Sequence, residues 1–131
     1  MPVAAAIANL EIIQKENLAE RAARMGEILI PELRRIRQKH SQVLGCLQGR
    51  GLVAGIQVVK PGSKTPDPAT ALRINLACFQ KGLLMFAPVA AGGECLKIAP
   101  PLTIAEDALR ESLQVFEEAA DEVLGQTPYF P

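Results

Sequence analysis

The apolar spacing of this sequence changes period once, near residue 40, and that change excludes both an all-helical and an all-strand fold. Over residues 3–39 apolar side chains recur at intervals of three and four, the pattern of a helix that buries one face. From Val43 onward they come as short unbroken runs rich in Val, Ile and Leu, Val43 to Leu47 and Leu52 to Val59. Runs of that length, bounded by turn residues, read as strands. Gly49-Arg50-Gly51 separates them, so two strands are expected to meet at a tight corner, the glycines allowing positive φ or close backbone approach.

The helical region divides. Pro2 suits a first helical turn, and Ile7, Leu10 and Ile13 share one stripe. Lys15-Glu16-Asn17 interrupts it, and Asn17 with Glu20 has the spacing of a capping box, which predicts a second helix. That helix carries Leu18, Ala22, Met25, Leu29, Leu33 and Ile36 on one face, and His40 closes it. Pro31 predicts a bend or a local break just before it, because proline removes a donor and clashes with the preceding turn.

Lys60 to Pro68 reads as a loop, and Ala69, Leu72, Leu76 and Phe79 mark a third helix ended by Gly82. Leu83 to Phe86 and Cys95 to Ile98 read as two further strands, joined by Ala90-Ala91-Gly92-Gly93. Thr103 and Glu106 predict a capping box for a last helix with Leu109, Leu113, Phe116, Ala120 and Val123 inside. Pro128 and Pro131 punctuate a tail. The order implies an α+β fold: a small, mostly antiparallel sheet of three to four strands with helices packed on it, preceded by a long helical segment. At 131 residues, with no repeat and no visible boundary, the chain reads as a single domain, 1–131.

Charge excludes several functions. Fourteen Lys and Arg balance fourteen Asp and Glu, so no basic excess draws the chain to nucleic acid or to an anionic membrane surface. No apolar run approaches the roughly 20 residues of a membrane span, and the N-terminal residues do not form a signal peptide. Cys46, Cys78 and Cys95 are widely spaced and form no C-x-x-C pair, and there is one histidine, so no zinc or other metal site is expected. The thiols are expected to be reduced and mostly buried, and the protein cytoplasmic.

Gly49-Arg50-Gly51 with Gly55 has the spacing G-x-G-x-x-x-G and precedes a strand, whereas a phosphate loop needs G-x-G-x-x-G and a helix N-terminus. A structural corner is the expectation. Glu117-Glu118 and Asp121-Glu122 are expected on the solvated face of the last helix, and Lys15, Lys39, Lys60, Lys64 and Lys81 at solvated positions. Lys97 differs, because it lies inside the apolar run Cys95-Leu96-Lys97-Ile98. Alternation points it away from Leu96 and Ile98, either toward a carboxylate or into solvent from an exposed sheet face. Pattern alone favours solvent.

Four stretches in register carry a family resemblance: Pro2-Val3-Ala4-Ala5-Ala6 through Glu11-Ile12-Ile13, Gly49-Arg50-Gly51-Leu52-Val53-Ala54-Gly55-Ile56, Lys81-Gly82-Leu83-Leu84, and Lys97-Ile98-Ala99-Pro100-Pro101-Leu102-Thr103-Ile104. The chain resembles the C-terminal small domain of the class III, pyridoxal-phosphate-dependent aminotransferases, such as those acting on 4-aminobutyrate, acetylornithine and diaminobutyrate. The resemblance implies a linking helical region over 1–39 and the sheet and helices over 40–131. It implies a partner too, a large domain upstream that holds the cofactor lysine, the acid for the pyridine nitrogen and the phosphate loop. Met1 stands where the family has the Asn of an Asn-Pro pair. None of the six lysines matches the catalytic one, so pyridoxal phosphate is expected in the complete enzyme and not on this chain alone, and no catalytic or cofactor-binding residue is assigned.

Lys97 matches a position where the family often has an arginine that grips the substrate's carboxylate, which makes it the candidate substrate-binding residue. Lysine keeps the charge and loses the planar fork. Gln48 stands where many relatives have an arginine, and the resemblance puts no function on it. The expected activity of the complete enzyme is transfer of an amino group from an ω-amino acid or amine to a 2-oxo acid, with a small amino-acid substrate. A stand-alone binding or scaffold module derived from that domain is the alternative. Val3 to Ile13 is apolar nearly all round, so its bare surface is expected to pair with the large domain or to drive self-association.

Overall fold

The computed structural model describes residues 2–125; Pro128, Pro131 and Met1 lie outside the described residues. The elements are α1 (Pro2–Lys15), α2 (Leu18–Lys39), β1 (Leu44–Arg50), β2 (Val53–Val58), α3 (Pro68–Gln80), β3 (Cys95–Ile98) and α4 (Glu106–Gly125). The strands form one antiparallel sheet in the order β1-β2-β3. Helices α2 and α3 pack on the sheet, and α4 packs against both helices. This is the α+β architecture that the change of period predicts.

The core lies between the sheet and the helices. Leu29, Leu33, Ile36, Leu44, Ile56, Ile74 and Leu96 are fully buried there. The α2 stripe faces it as expected, and so does the α4 stripe from Leu109 to Val123. Pro31 causes no break, and α2 runs continuously through it. One lost helical bond and a steric clash cost about 3 kcal/mol. Burying each of Leu29, Leu33 and Ile36, which flank Pro31, stabilises by about 1.5–3 kcal/mol, and together they outweigh it.

Neither predicted capping box forms among the described residues. Asn17 separates α1 from α2 by adopting a left-handed backbone (φ 49°), with no side-chain cap. Thr103 lies before α4 in a turn whose carbonyls are taken by Arg21, and α4 starts at Glu106. Asp67, read as part of the loop, caps α3 instead: its carboxylate accepts from the Thr70 backbone N–H at 3.1 Å and from the Thr70 hydroxyl at 2.8 Å. Gly82 ends α3 as expected, at φ 89°, with Leu83 N–H donating to Cys78 O.

Leu83 to Phe86 is not a strand. It alternates as one, with Leu83 and Met85 half-buried and Leu84 and Phe86 exposed. No ladder forms along it, and only Val89 bridges Cys95. The sheet therefore has three strands.

The third helix turns its predicted stripe outward. Ala71, Ile74, Ala77 and Cys78 face the core, while Leu72, Leu76 and Phe79 are exposed. The first helix is barer still. It touches only α2, with Val3, Ile7, Leu10 and Ile12 exposed and Ile13 half-buried.

Candidate functional site

Lys97 sits in the middle of β3, and the register fixes its face. Leu96 is fully buried against the core opposite Ile56, and Ile98 lies opposite Ala54 on the same side. Lys97 therefore projects from the other face, opposite Gly55, and Gly55 lies opposite Gln48 on β1. Gln48, Gly55 and Lys97 form one row across the sheet. Among the described residues that face bears no helix, because α2 and α3 cover the side of Ala54 and Ile56.

The Lys97 side chain is half-buried, and its ammonium lies 4.6 Å from the centre of the Phe86 ring. Among the described residues it forms no ion pair. Behind it opens a cavity of about 450 Å3, walled by Leu33, Met85, Phe86, Ile98, Leu113 and Phe116 among others. Among the described residues Lys97 is the only ionisable one on that wall. The expectation that it lies across the sheet from Leu96 and Ile98 agrees with this geometry, but its cation rests on an aromatic face, which alternation alone does not reveal.

Arg21 sets the segment after Lys97. Its guanidinium donates to the carbonyls of Leu102 (3.2 Å), Thr103 (3.4 Å) and Ile104 (2.6 Å). Those bonds tie the turn after Pro100-Pro101 to α2. Sequence reading misses Arg21, because nothing local marks a side chain whose partners lie some 80 residues away.

The remaining candidates resolve into structure. The corner is structural but lies at Gly51-Leu52, with Gly51 at φ 56°; Gly49 and Arg50, expected to separate the strands, are paired within β1 with Ala54 and Val53. Three of the four acids expected in solvent are paired. Glu117 accepts from Arg35 and Lys39, Asp121 from Lys39 and His40, and Glu122 pairs with Lys81. The Arg35 bond, with help from Lys39, holds the Glu117 carboxyl down at about 2, and Asp121 is lowered by Lys39 and then His40. These pairs tie α4 to α2 and to the end of α3.

The thiols are free but not uniformly buried. Cys78 is buried and its pKa is pushed up to about 11 by desolvation, Cys95 is half-buried and raised by the same cause, and Cys46 is exposed. Cys46 lies at an irregularity in β1 between Leu44 and Leu47, on the uncovered edge of the sheet. Among the described residues no cluster of His, Cys, Asp and Glu could hold a metal.

Pyridoxal phosphate needs a lysine, an acid for its ring nitrogen and a cradle for its phosphate in one cleft. The described residues do not fit it, since the cavity wall offers one lysine and no carboxylate.

Sequence comparison places these features in a family. Residues 1–120 match the family Aminotransferase class-III, so the chain belongs to the class III aminotransferases. It is 32% identical over 121 residues to an alanine/serine racemase of Pyrococcus horikoshii, covering 92% of this chain and 25% of that protein. It is 31% identical over 120 residues to a 5-aminovalerate aminotransferase of Pseudomonas putida, covering 92% of this chain and 28% of that protein. Among solved structures it resembles a Bacillus anthracis aminotransferase with TM-score 0.78 and 32% identity, covering 89% of this chain and 27% of that one. The chain thus spans about a quarter of the length of the relatives it matches. Among the described residues no helix is long and apolar enough to cross a membrane.

Proposed function

We propose that this chain is the C-terminal domain of a pyridoxal-phosphate-dependent aminotransferase that moves an amino group from an ω-amino acid or amine to a 2-oxo acid, and that Lys97 receives the substrate's carboxylate. Family membership over residues 1–120 supports the reaction class. The similarity to a 5-aminovalerate aminotransferase supports an ω-amino substrate. The observation that carries the role of Lys97 is an unpaired ammonium on the uncovered sheet face, at the rim of an apolar cavity.

In this reading the cofactor and its lysine belong to a large domain outside the 131 residues, and that domain covers the bare face of α1. The three free thiols support a reducing, cytoplasmic setting in this reading. The chain's own part is binding and orientation. The ammonium holds one end of the substrate, and the amino end is left facing the large domain.

The test is a complete enzyme containing this domain. A charge-assisted hydrogen bond is worth about 1.5–3 kcal/mol, so Lys97→Ala raises KM for a carboxylate-bearing donor about 10- to 100-fold. KM for an amine donor without a carboxylate stays within about twofold. An unchanged KM for the first donor removes Lys97 from the site. On the isolated chain, borohydride after pyridoxal phosphate yields no stoichiometric adduct on a single lysine, and such an adduct would overturn the placement of the cofactor.

A further inference from the structure

We infer that Gln48 is a second anchor for the carboxylate, which sits over the bare backbone of Gly55 between Gln48 and Lys97; the inference rests on the reading of Lys97 given above. The register places the three residues in one row, with Gln48 opposite Gly55 and Gly55 opposite Lys97. Neighbouring strands lie about 4.8 Å apart, so the two flanking Cα atoms are about 10 Å apart. One long side chain from each flank closes on a small group held between them.

Gly55 gives the floor of that gap. Glycine inside a strand weakens it, and its usual reason is close approach by a ligand or another backbone. Here the backbone does not require glycine through a positive φ. An added Cβ would meet one atom within 4 Å, the Cys95 sulfur at 3.1 Å, and the rest of the space above Gly55 is open. Even an alanine would begin to fill it.

Charge selects the occupant. The residues of the three strands include two cations, Arg50 and Lys97, and no Asp or Glu. Among the described residues Lys97 thus has no strand carboxylate on its own face to neutralise it. Its resting contact with the exposed ring of Phe86 is weaker than a charge-assisted hydrogen bond, so an arriving carboxylate outcompetes it. Gln48 is exposed, and its side-chain N–H donates to a carboxylate oxygen without needing a counter-ion. A small carboxylate fits this pairing of one ammonium with one amide.

The experiment is an NMR titration of the 15N-labelled 131-residue chain with glutarate at constant ionic strength. The Gln48 side-chain amide and the Gly55 backbone amide shift together, with an apparent Kd on the order of 10 mM. Gln48→Ala weakens binding about fivefold, and Gln48→Glu and Lys97→Ala each abolish it. Because Gln48 is exposed, its variants keep the wild-type positions of the Leu29 and Ile56 amides, which verifies the fold. Wild-type affinity in both Gln48 variants, with loss in Lys97→Ala, overturns the role of Gln48 and leaves that of Lys97. Wild-type affinity in Lys97→Ala, or shifts confined to the Lys60–Lys64 loop, overturns both.

Discussion

Gly26→Ala should destabilise the protein, although helix propensity alone says the reverse. Gly26 lies in the interior of α2, where glycine costs about 1 kcal/mol relative to alanine. The structure shows why glycine stands there. A Cβ on residue 26 would lie 2.5 Å from the Gly51 Cα, 2.8 Å from its carbonyl oxygen and 2.9 Å from its carbonyl carbon. All three are backbone atoms, so none swings aside as a side-chain tip would. Relief to an ordinary contact of about 3.5 Å moves helix and corner apart by about 1 Å. That movement is resisted by buried Leu29 and Leu33 on one side and by the turn joining β1 to β2 on the other. Overpacking of this kind costs about 1–3 kcal/mol, and rigid backbone on both sides puts it at the upper end or beyond. Against a propensity gain of about 1 kcal/mol, the net loss is about 2 kcal/mol. With a urea m-value of about 1–3 kcal/mol/M, the midpoint falls by about 1 M. Gly125→Ala is the control, since its Cβ meets nothing within 4 Å, and it leaves the midpoint unchanged or higher. A Gly26→Ala midpoint at or above wild type would refute the close approach and with it the packing that sets the β1–β2 corner.

Two further outcomes follow from the site and its supports. Lys97→Ala lowers stability by only about 1 kcal/mol, the scale of an exposed cation–π contact, and a loss of several kcal/mol in urea unfolding would make Lys97 a structural residue. Glu117 titrates at about 2 in the folded chain, below its ordinary value, so its contribution is fully present above about pH 4.5 and is lost as pH falls toward 2. Glu117→Gln therefore flattens part of the fall in stability between those pH values, with Asp121 retaining the rest, and an acid limb identical to wild type contradicts the Arg35 pairing.

Elements were legible wherever one local signal decided them. The α2 and α4 stripes and the Gly82 stop follow from spacing or from positive φ and stand where the sequence puts them, whereas the strand corner falls at Gly51-Leu52 because Gly49 and Arg50 continue β1. Signals that depend on a partner elsewhere in the chain were not. The run Leu83 to Phe86 has strand alternation, but a strand also needs a neighbour to accept its N–H groups, and alternation says nothing about that. Asn17 and Thr103 have capping spacing, yet Asn17 takes a left-handed backbone with no side-chain cap, and at the start of α4 the Asp107 carboxylate accepts from the Ala108 N–H. The face of Lys97 was legible from a period of two. Its row with Gly55 and Gln48 was not, because register joins strands from distant parts of the chain.

The outward stripe on α3 runs against what burial of area alone favours. A reader of the sequence assigns bulky Leu72, Leu76 and Phe79 to the core, because that assignment buries the most area. The structure instead turns Ala71, Ile74, Ala77 and Cys78 inward, and small residues let a helix lie close on its neighbours. A lone exposed leucine needs no explanation, whereas aligned apolar residues at helical spacing on two helices form patches that partners cover. The bare surfaces of this chain therefore differ in kind. Along α1 and α3 they are apolar and suited to packing against protein. On the open sheet face they carry Arg50, Lys97 and Gln48 around a glycine floor and no carboxylate, which suits a small anion that must enter and leave. On the function proposed above, the first kind is the surface that would hold a large domain, and the second is the one that would stay open for the substrate.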